Sequence, residues 1–274
     1  MTRADIPAGM RLKEIAGWNQ TPADWDRFLR ASPEGCFVAE AQGTVVGTAA
    51  TMVYEQRFAW IGMVLVDPEV RGRGIGTRLL ERAIEHLDAR GVPTSKLDAT
   101  PQGRPLYEKL GFMAEYEIER WVLKRLQLTE EGKAAEAAQH LENILALDRG
   151  IFGADRSGLL RSVHAEAPDL TLEVRRGDEL RAYALGRRGS RADHLGPWMA
   201  QDASSARELL EEFLRRARRD TVFVDVLKTN PFAPKLLQER GFEFSRPLTR
   251  MYRGSNPYPG RPELLCAILG PEFG

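Results

Sequence analysis

The chain has 274 residues, in which lysine plus arginine (39) equals aspartate plus glutamate (39). That balance argues against nucleic acid or an anionic membrane as partner, and no apolar run approaches the roughly 20 residues needed to span a bilayer. The length suffices for two domains, each burying its own core. The opening Met-Thr-Arg-Ala-Asp-Ile-Pro carries no hydrophobic signal segment, so the expected location is cytoplasmic. Cys36 and Cys266 sit far apart among apolar neighbours and read as buried thiols rather than a bridge.

In chain order, Trp18-Asn19-Gln20 falls between an expected first strand and a helix from Thr21 to Leu29. Cys36 to Ala39 and Val45 to Val53 read as strands around a Gln42-Gly43 turn, with Tyr54-Glu55-Gln56-Arg57 as an exposed hairpin. Trp60 to Val66 is almost wholly apolar, as in a strand covered on both faces. After Asp67-Pro68 comes Arg71-Gly72-Arg73-Gly74-Ile75-Gly76-Thr77, and then an amphipathic helix whose stripe is Leu79, Leu80, Ala83, Ile84 and Leu87. Gly91 and Pro93 stop that helix. A strand from Ser95 to Ala99 follows, then a short helix over Pro105 to Leu110, closed by Gly111 in the left-handed conformation with Phe112 returning to the core.

The glycine loop carries the chemistry. Glycines allow successive N–H groups to turn toward one point. The helix N-terminus behind them adds unpaired donors and partial positive charge. Arg71, Arg73 and Arg78 add full charges, so the loop describes a seat for a pyrophosphate. The Gly-Lys-Ser/Thr ending of a nucleoside-triphosphate loop is missing. The glycines fall every second residue, which also breaks the dinucleotide fingerprint.

This loop closely resembles the acyl-CoA loop, Arg/Gln-x-x-Gly-x-Gly/Ala, of the GCN5-related N-acetyltransferase (GNAT) family. Pro105-Leu106-Tyr107-Glu108-Lys109-Leu110-Gly111-Phe112 resembles a second motif of that family at the expected place. The resemblance implies a mixed α/β fold with acetyl-CoA as cosubstrate. The strands Trp60 to Val66 and Ser95 to Ala99 would splay apart to admit the pantetheine arm. Cofactor contacts then fall on Val64, Leu65, Val66, Arg71, Gly72, Arg73, Gly74, Ile75, Gly76 and Thr77. Tyr107 matches the tyrosine whose hydroxyl lies near the thioester sulfur, and it becomes the expected general acid. Candidate bases are Glu55, at a strand end, and Asp98, on the strand beside the cofactor. In the resembled two-domain bacterial subgroup the Trp18-Asn19-Gln20 loop borders the acceptor pocket, and the hairpin at Tyr54 offers an opposite wall.

The first domain is expected to span 1–128 and a second 129–274, with the joint at Thr129-Glu130-Glu131-Gly132 and a helix within Thr129 to Gly150. The second half repeats the first: an amphipathic helix over Ser204 to Ala217, a strand over Thr221 to Leu227, and a helix from Phe232 to Arg240 closed by Gly241-Phe242. Its working parts are missing. Gln201-Asp202-Ala203-Ser204-Ser205 replaces the glycine loop, and Leu237 stands where Tyr107 does. Tyr183, Arg187, Arg191, Asp193, His194 and Trp198 either line a different pocket or are surface and interface residues of a structural domain. The four histidines are scattered, so no metal is expected. The expected reaction is transfer of an acetyl group from acetyl-CoA to a primary amine of a small molecule, by a monomer or homodimer. The alternative is a non-catalytic acyl-CoA sensor whose second domain binds an effector or partner.

Overall fold

The computed structural model describes residues 1–124 and 135–274. The expected joint at Leu128 and Thr129 to Gly132 lies outside the described residues. In chain order the elements are α1 (Ile6–Ile15), α2 (Pro22–Ala31), β1 (Cys36–Ala41), β2 (Thr44–Tyr54), β3 (Phe58–Val66), α3 (Ile75–Ala89), β4 (Thr94–Ala99), α4 (Arg104–Lys109) and β5 (Met113–Lys124). There follow β6 (Glu136–Ala137), α5 (Leu141–Phe152), α6 (Ser157–Glu166), β7 (Leu172–Arg176), β8 (Glu179–Arg188), β9 (Asp193–Ala200), α7 (Ala203–Arg216), β10 (Thr221–Leu227), α8 (Ala233–Glu239), β11 (Glu243–Gly254) and β12 (Leu265–Ala267).

These elements form two compact units that borrow from both halves of the chain. The first comprises Met1–Glu115, Arg250–Tyr258 and Glu272–Gly274; the second comprises Tyr116–Thr249 and Pro259–Pro271. The division expected at 128/129 therefore misses two short C-terminal segments that pack with the N-terminal half. No local periodicity announces such an exchange.

In the first unit β1, β2 and β3 form an antiparallel run, and β3 pairs with β4 in parallel. The end of β11 lies beside β4. The stripe expected on α3 (Leu79, Leu80, Ala83, Ile84, Leu87) is buried, and Leu80, Ala83, Ile84 and Leu87 cluster with Ala59, Ile61, Leu97 and Phe112. The expected first strand is instead α1. Pro7 falls in its first turn, where the missing N–H costs nothing. Gly9 admits the Trp25 ring, since a Cβ there would come within 2.9 Å of it. On α2, Pro22 opens the helix and the Thr21 N–H donates to Asp24 Oδ2 at 2.9 Å.

In the second unit β10 pairs antiparallel with β5 over Thr221–Leu227 and parallel with β9 over Val222–Val224. Strands β9, β8, β7 and β6 continue antiparallel. The expected amphipathic helix is α7, which buries Leu209, Leu210, Phe213 and Leu214. Among the described residues, the helix expected within Thr129 to Gly150 is α5, which runs from Leu141. Before it, Glu136 and Ala137 pair with Glu173 and Leu172 of β7, and this ladder competes successfully with helical propensity.

Candidate active site

The site begins where β3 and β4 part. Their pairing consists of Ala59 with Ser95 and Trp60 with Lys96, so Ile61 to Val66 run on without a β4 partner. On its other side β3 carries a bulge, because Thr48 faces Leu65 while Ala50 faces Gly62. Met63, buried at the bulge, has φ of +54°, a left-handed conformation costly for a side chain of this type. The Thr48 hydroxyl donates to the Met63 carbonyl at 2.7 Å and holds the distortion in place. Val64 and Val66 are half-buried and Leu65 is buried. The Val66 carbonyl accepts from Arg71 Nε at 3.1 Å.

Asp67 anchors the turn into the glycine loop. It accepts from the Glu69 N–H at 3.2 Å and from Arg11 at 2.7 Å. The Arg11 hydrogen bond leads the causes that lower its pKa. Gly72 and Gly74 both have φ of +76°. A Cβ at either would meet nothing within 4 Å, so the backbone angle rather than space demands glycine there. Gly74 caps α3, and the Arg78 N–H makes a 3.0 Å bond to the Gly74 carbonyl. The N–H groups of Ile75, Gly76 and Thr77 ahead of it have no acceptor within the helix. Arg71, Arg73 and Arg78 are exposed around these donors. Beside the loop, a cavity of about 580 Å³ is lined by Phe37, Val46, Val70, Arg73, Arg78 and Arg82 among others.

Tyr107 rises from α4 with its ring over Gly103, where a Cβ would sit 2.9 Å from the ring and 3.3 Å from the hydroxyl. Phe112 meets the ring edge-on at 6.2 Å. Burial pushes the phenol up to about 12, so it stays protonated at neutral pH. Gly111, at φ of +85°, closes the helix in the left-handed conformation expected of it.

The other expected site residues are distributed less simply. Trp18 is half-buried, Asn19 and Gln20 are buried, and Gln20 Oε1 has no hydrogen-bond partner among the described residues. Glu55 and Gln56 form the exposed hairpin with φ of +50° and +57°, the signature of a type I′ turn. Glu55 Oε2 lies 3.5 Å from Arg57. Tyr54 departs from the expected exposed wall: its side chain points inward, and its hydroxyl donates to the Phe273 carbonyl at 2.9 Å. The Asp98 side chain is buried, and both its oxygens accept from Arg250, each at 2.9 Å. Arg250 in turn lies over the Trp60 ring at 4.5 Å. Met63 and Arg250 escaped the sequence reading, and the Gly-Pro-Glu-Phe-Gly ending was read only as part of the resemblance to the two-domain subgroup, with no place in the first unit. Only Gly62, a glycine inside an apolar strand, offered a local signal of close backbone approach.

In the second unit Asp202 caps α7, accepting from the Ser205 N–H at 2.8 Å, as an aspartate without a glycine loop should. Leu237 is buried. Tyr183, Arg187, Asp193, His194 and Trp198 are all buried, which places them in the packed interior rather than on the surface. The Tyr183 hydroxyl donates to Asp148 at 2.5 Å, and His194 Nε2 lies 3.1 Å from Asp225. Among the described residues no group of three or more His, Cys, Asp or Glu could hold a metal ion. No helix among them is long and apolar enough to cross a membrane.

A strand gap beside a glycine loop and helix N-terminus defines an acyltransferase of the GNAT class. The model of the acetyltransferase (GNAT) family matches residues 11–112, and that of an acetyltransferase (GNAT) domain matches residues 144–267. The chain belongs to this family and carries two of its domains. Holothin acyltransferase of Pseudoalteromonas sp. is 27% identical over 260 residues, covering 94% of this chain and 87% of that protein. The N-acetyltransferase YitH of Bacillus subtilis, itself uncharacterised, is 26% identical over 85% of this chain and 83% of its own length. Mycothiol acetyltransferase of Thermomonospora curvata is 37% identical over 83 residues, 29% of this chain and 28% of that protein. A solved structure from Pyrococcus horikoshii shares the fold with a TM-score of 0.82 at 23% identity, covering 100% of this chain and 94% of that one. A GCN5-related N-acetyltransferase from Sphaerobacter thermophilus shares it at 0.68 and 18% identity, covering 93% of this chain and 94% of that one.

Proposed function

We propose that the protein moves an acetyl group from acetyl-CoA to a primary amine of a small molecule, at a site in the first unit, by direct attack of the amine on the thioester. The observation that carries this reading is the gap between β3 and β4, open from Ile61 onward, beside the unpaired N–H groups at the start of α3. Gly72 to Thr77 with Arg71 and Arg73 suit a pyrophosphate, and Val64 to Val66 suit the amides of a pantetheine arm. When bound, the cosubstrate supplies an activated acyl carbon. A backbone donor near the bulge stabilises the developing oxyanion, a contribution typically worth roughly 10²–10³ in rate. Tyr107 stays protonated and can hand its proton to the departing thiolate. The buried, unpartnered Gln20 Oε1 is an acceptor suited to an amine N–H. Relatives named for holothin and mycothiol support a small-molecule acceptor.

Thiol release from acetyl-CoA against a broad amine panel, with Gly74→Glu as control, tests this reading. Turnover with one amine class that disappears in the variant supports an enzyme with its cosubstrate in the first unit. Intact acetyl-CoA binding with silence across the panel favours the sensor alternative.

A further inference from the structure

The first unit leaves its strand gap open, and the second fills the corresponding one. Strands β9 and β10 pair in parallel from Asp193 with Val222 to Leu195 with Val224 and then part, as β3 and β4 do after Trp60 and Lys96. Between the parted ends lies β12, antiparallel to both. Its Ala267 faces Val226 of β10 and Trp198 of β9, and its Leu265 faces Met199. We propose that β12 is a built-in occupant of the second unit's cosubstrate gap, so that the chain binds one acyl-CoA, in the first unit, and the second is closed to any ligand of that kind. This inference rests on the acyl-transfer reading above for what the open gap holds.

Register makes the two gaps comparable. In the first unit Thr48 faces Leu65 and Ala50 faces Gly62, so β3 carries one residue more than β2 over that stretch. In the second, Ala184 faces Trp198 and Gly186 faces Leu195, which gives β9 the same extra residue at the same point of the fold. Leu195, Gly196, Pro197 and Trp198 therefore stand where Gly62, Met63, Val64 and Leu65 do. The bulge and the parting of the strands survive in the second unit, but the means of serving a thioester do not. Pro197 has no N–H to offer where Val64 has one. A Cβ at Gly196 would run into the Ile268 carbonyl oxygen, so the chain itself lies against the bulge.

Hydrogen bonds and packing both hold β12 in the gap. The Ile268 N–H donates to the Asp225 carbonyl at 3.0 Å, and Asn230 Nδ2 donates to the Leu265 carbonyl at 3.2 Å. Cys266 and Ala267 are buried in the same core as Trp198, Val224 and Val226. A pantetheine arm would need the strand edges that β12 already uses. Displacing β12 would leave buried backbone groups unpaired, which is strongly unfavourable. The first unit has only a looser counterpart. There the Glu272 backbone comes up to Gly62, where a Cβ would stand 2.5 Å from the Glu272 carbonyl oxygen, but residues 272–274 form no strand. The sensor alternative is narrowed accordingly: an effector of the second unit would not be an acyl-CoA seated between β9 and β10.

The test combines calorimetric stoichiometry with hydrogen–deuterium exchange read by mass spectrometry, with and without acetyl-CoA, on wild type, Gly74→Glu and Asn230→Asp. Asn230→Asp keeps the side-chain oxygen that accepts from the Ala233 N–H at 2.8 Å and removes the donor to Leu265. Wild type should bind one equivalent and Gly74→Glu none. Acetyl-CoA should slow exchange over 61–66 and leave 193–200, 221–227 and 265–268 slow and unchanged. Asn230→Asp should speed exchange over 265–268 by about 10-fold while keeping the single equivalent and its affinity. Fast exchange over 265–268 that acetyl-CoA slows, or a second equivalent that survives in Gly74→Glu, overturns the proposal. Wild type that binds no acetyl-CoA overturns the acyl-transfer reading, and the single-site count with it.

Discussion

Tyr107 and Asp98 show how burial assigns different work to two titratable side chains of one unit. The Tyr107 phenol is pushed up to about 12 by burial, which keeps it protonated at neutral pH, as the proposed general acid requires. Tyr107→Phe is expected to cut kcat by about 10²-fold or more while acetyl-CoA affinity stays within about twofold, read by steady-state kinetics and calorimetry. Asp98 is different, because both oxygens accept from Arg250 in a buried pair. The pair neutralises the Arg250 cation that lies over the Trp60 ring. Arg250→Ala strands a buried carboxylate and should destabilise the protein by about 3–5 kcal/mol in urea denaturation. Replacing both partners by apolar residues should cost much less, since no charge is then left unpaired.

Among the elements, the turn from β3 into α3 has the most demanding backbone. Gly72 and Gly74 need left-handed angles, whereas Gly76 lies inside the helix with only Val66 near its missing Cβ, at 3.6 Å. Gly74→Ala should therefore weaken acetyl-CoA binding through about 1–2 kcal/mol of strain, roughly 5- to 30-fold in Kd, while Gly76→Ala stays near wild type. The corresponding turn into α7 is built oppositely. Asp202 places a carboxylate over the helix N-terminus and satisfies the Ser205 N–H itself. Asp202→Ala should cost about 1 kcal/mol of stability and leave acetyl-CoA affinity unchanged, which differential scanning calorimetry and titration would separate.

Across the entire chain, acid sensitivity is expected from groups in both units: burial lowers the pKa of His86 and Arg11 lowers that of Asp67 in the first, and His194 and Asp225 act in the second. Burial lowers the pKa of His194 and keeps it neutral. Burial acts to raise Asp225, but Arg120 and His194 outweigh it and hold that carboxyl well below the usual range. In the unfolded chain the histidine titrates near about 6.5 and the aspartate near about 3.9. The unfolded state thus binds more protons as pH falls, so stability is lost first below about 6.5 and again below about 4. Urea midpoints should decline on acidification from neutral pH, and His194→Gln should reduce the first part of that decline, with His86 contributing the rest. A pH-independent midpoint down to about 5 would contradict the assignment.

The glycine loop, the α3 stripe, the Tyr107 helix with its Gly111 stop, and the degeneracy of the second domain were all legible in the sequence. Each depends on residues within a few positions of one another, where backbone angle, helical period and capping act locally. Helix α1 was misread as a strand because ten residues carry too weak a periodicity to decide. Tyr54 was misread as exposed because hairpin position does not reveal which side chain turns inward. Other features belong to tertiary structure alone: the bulge at Met63, the Arg250 clamp on Asp98, and the laying of 272–274 along β3 at Gly62. They arise from contacts between segments as many as 219 residues apart, as between Tyr54 and Phe273. Local propensity is silent about such pairings, and only close packing in the folded chain selects them.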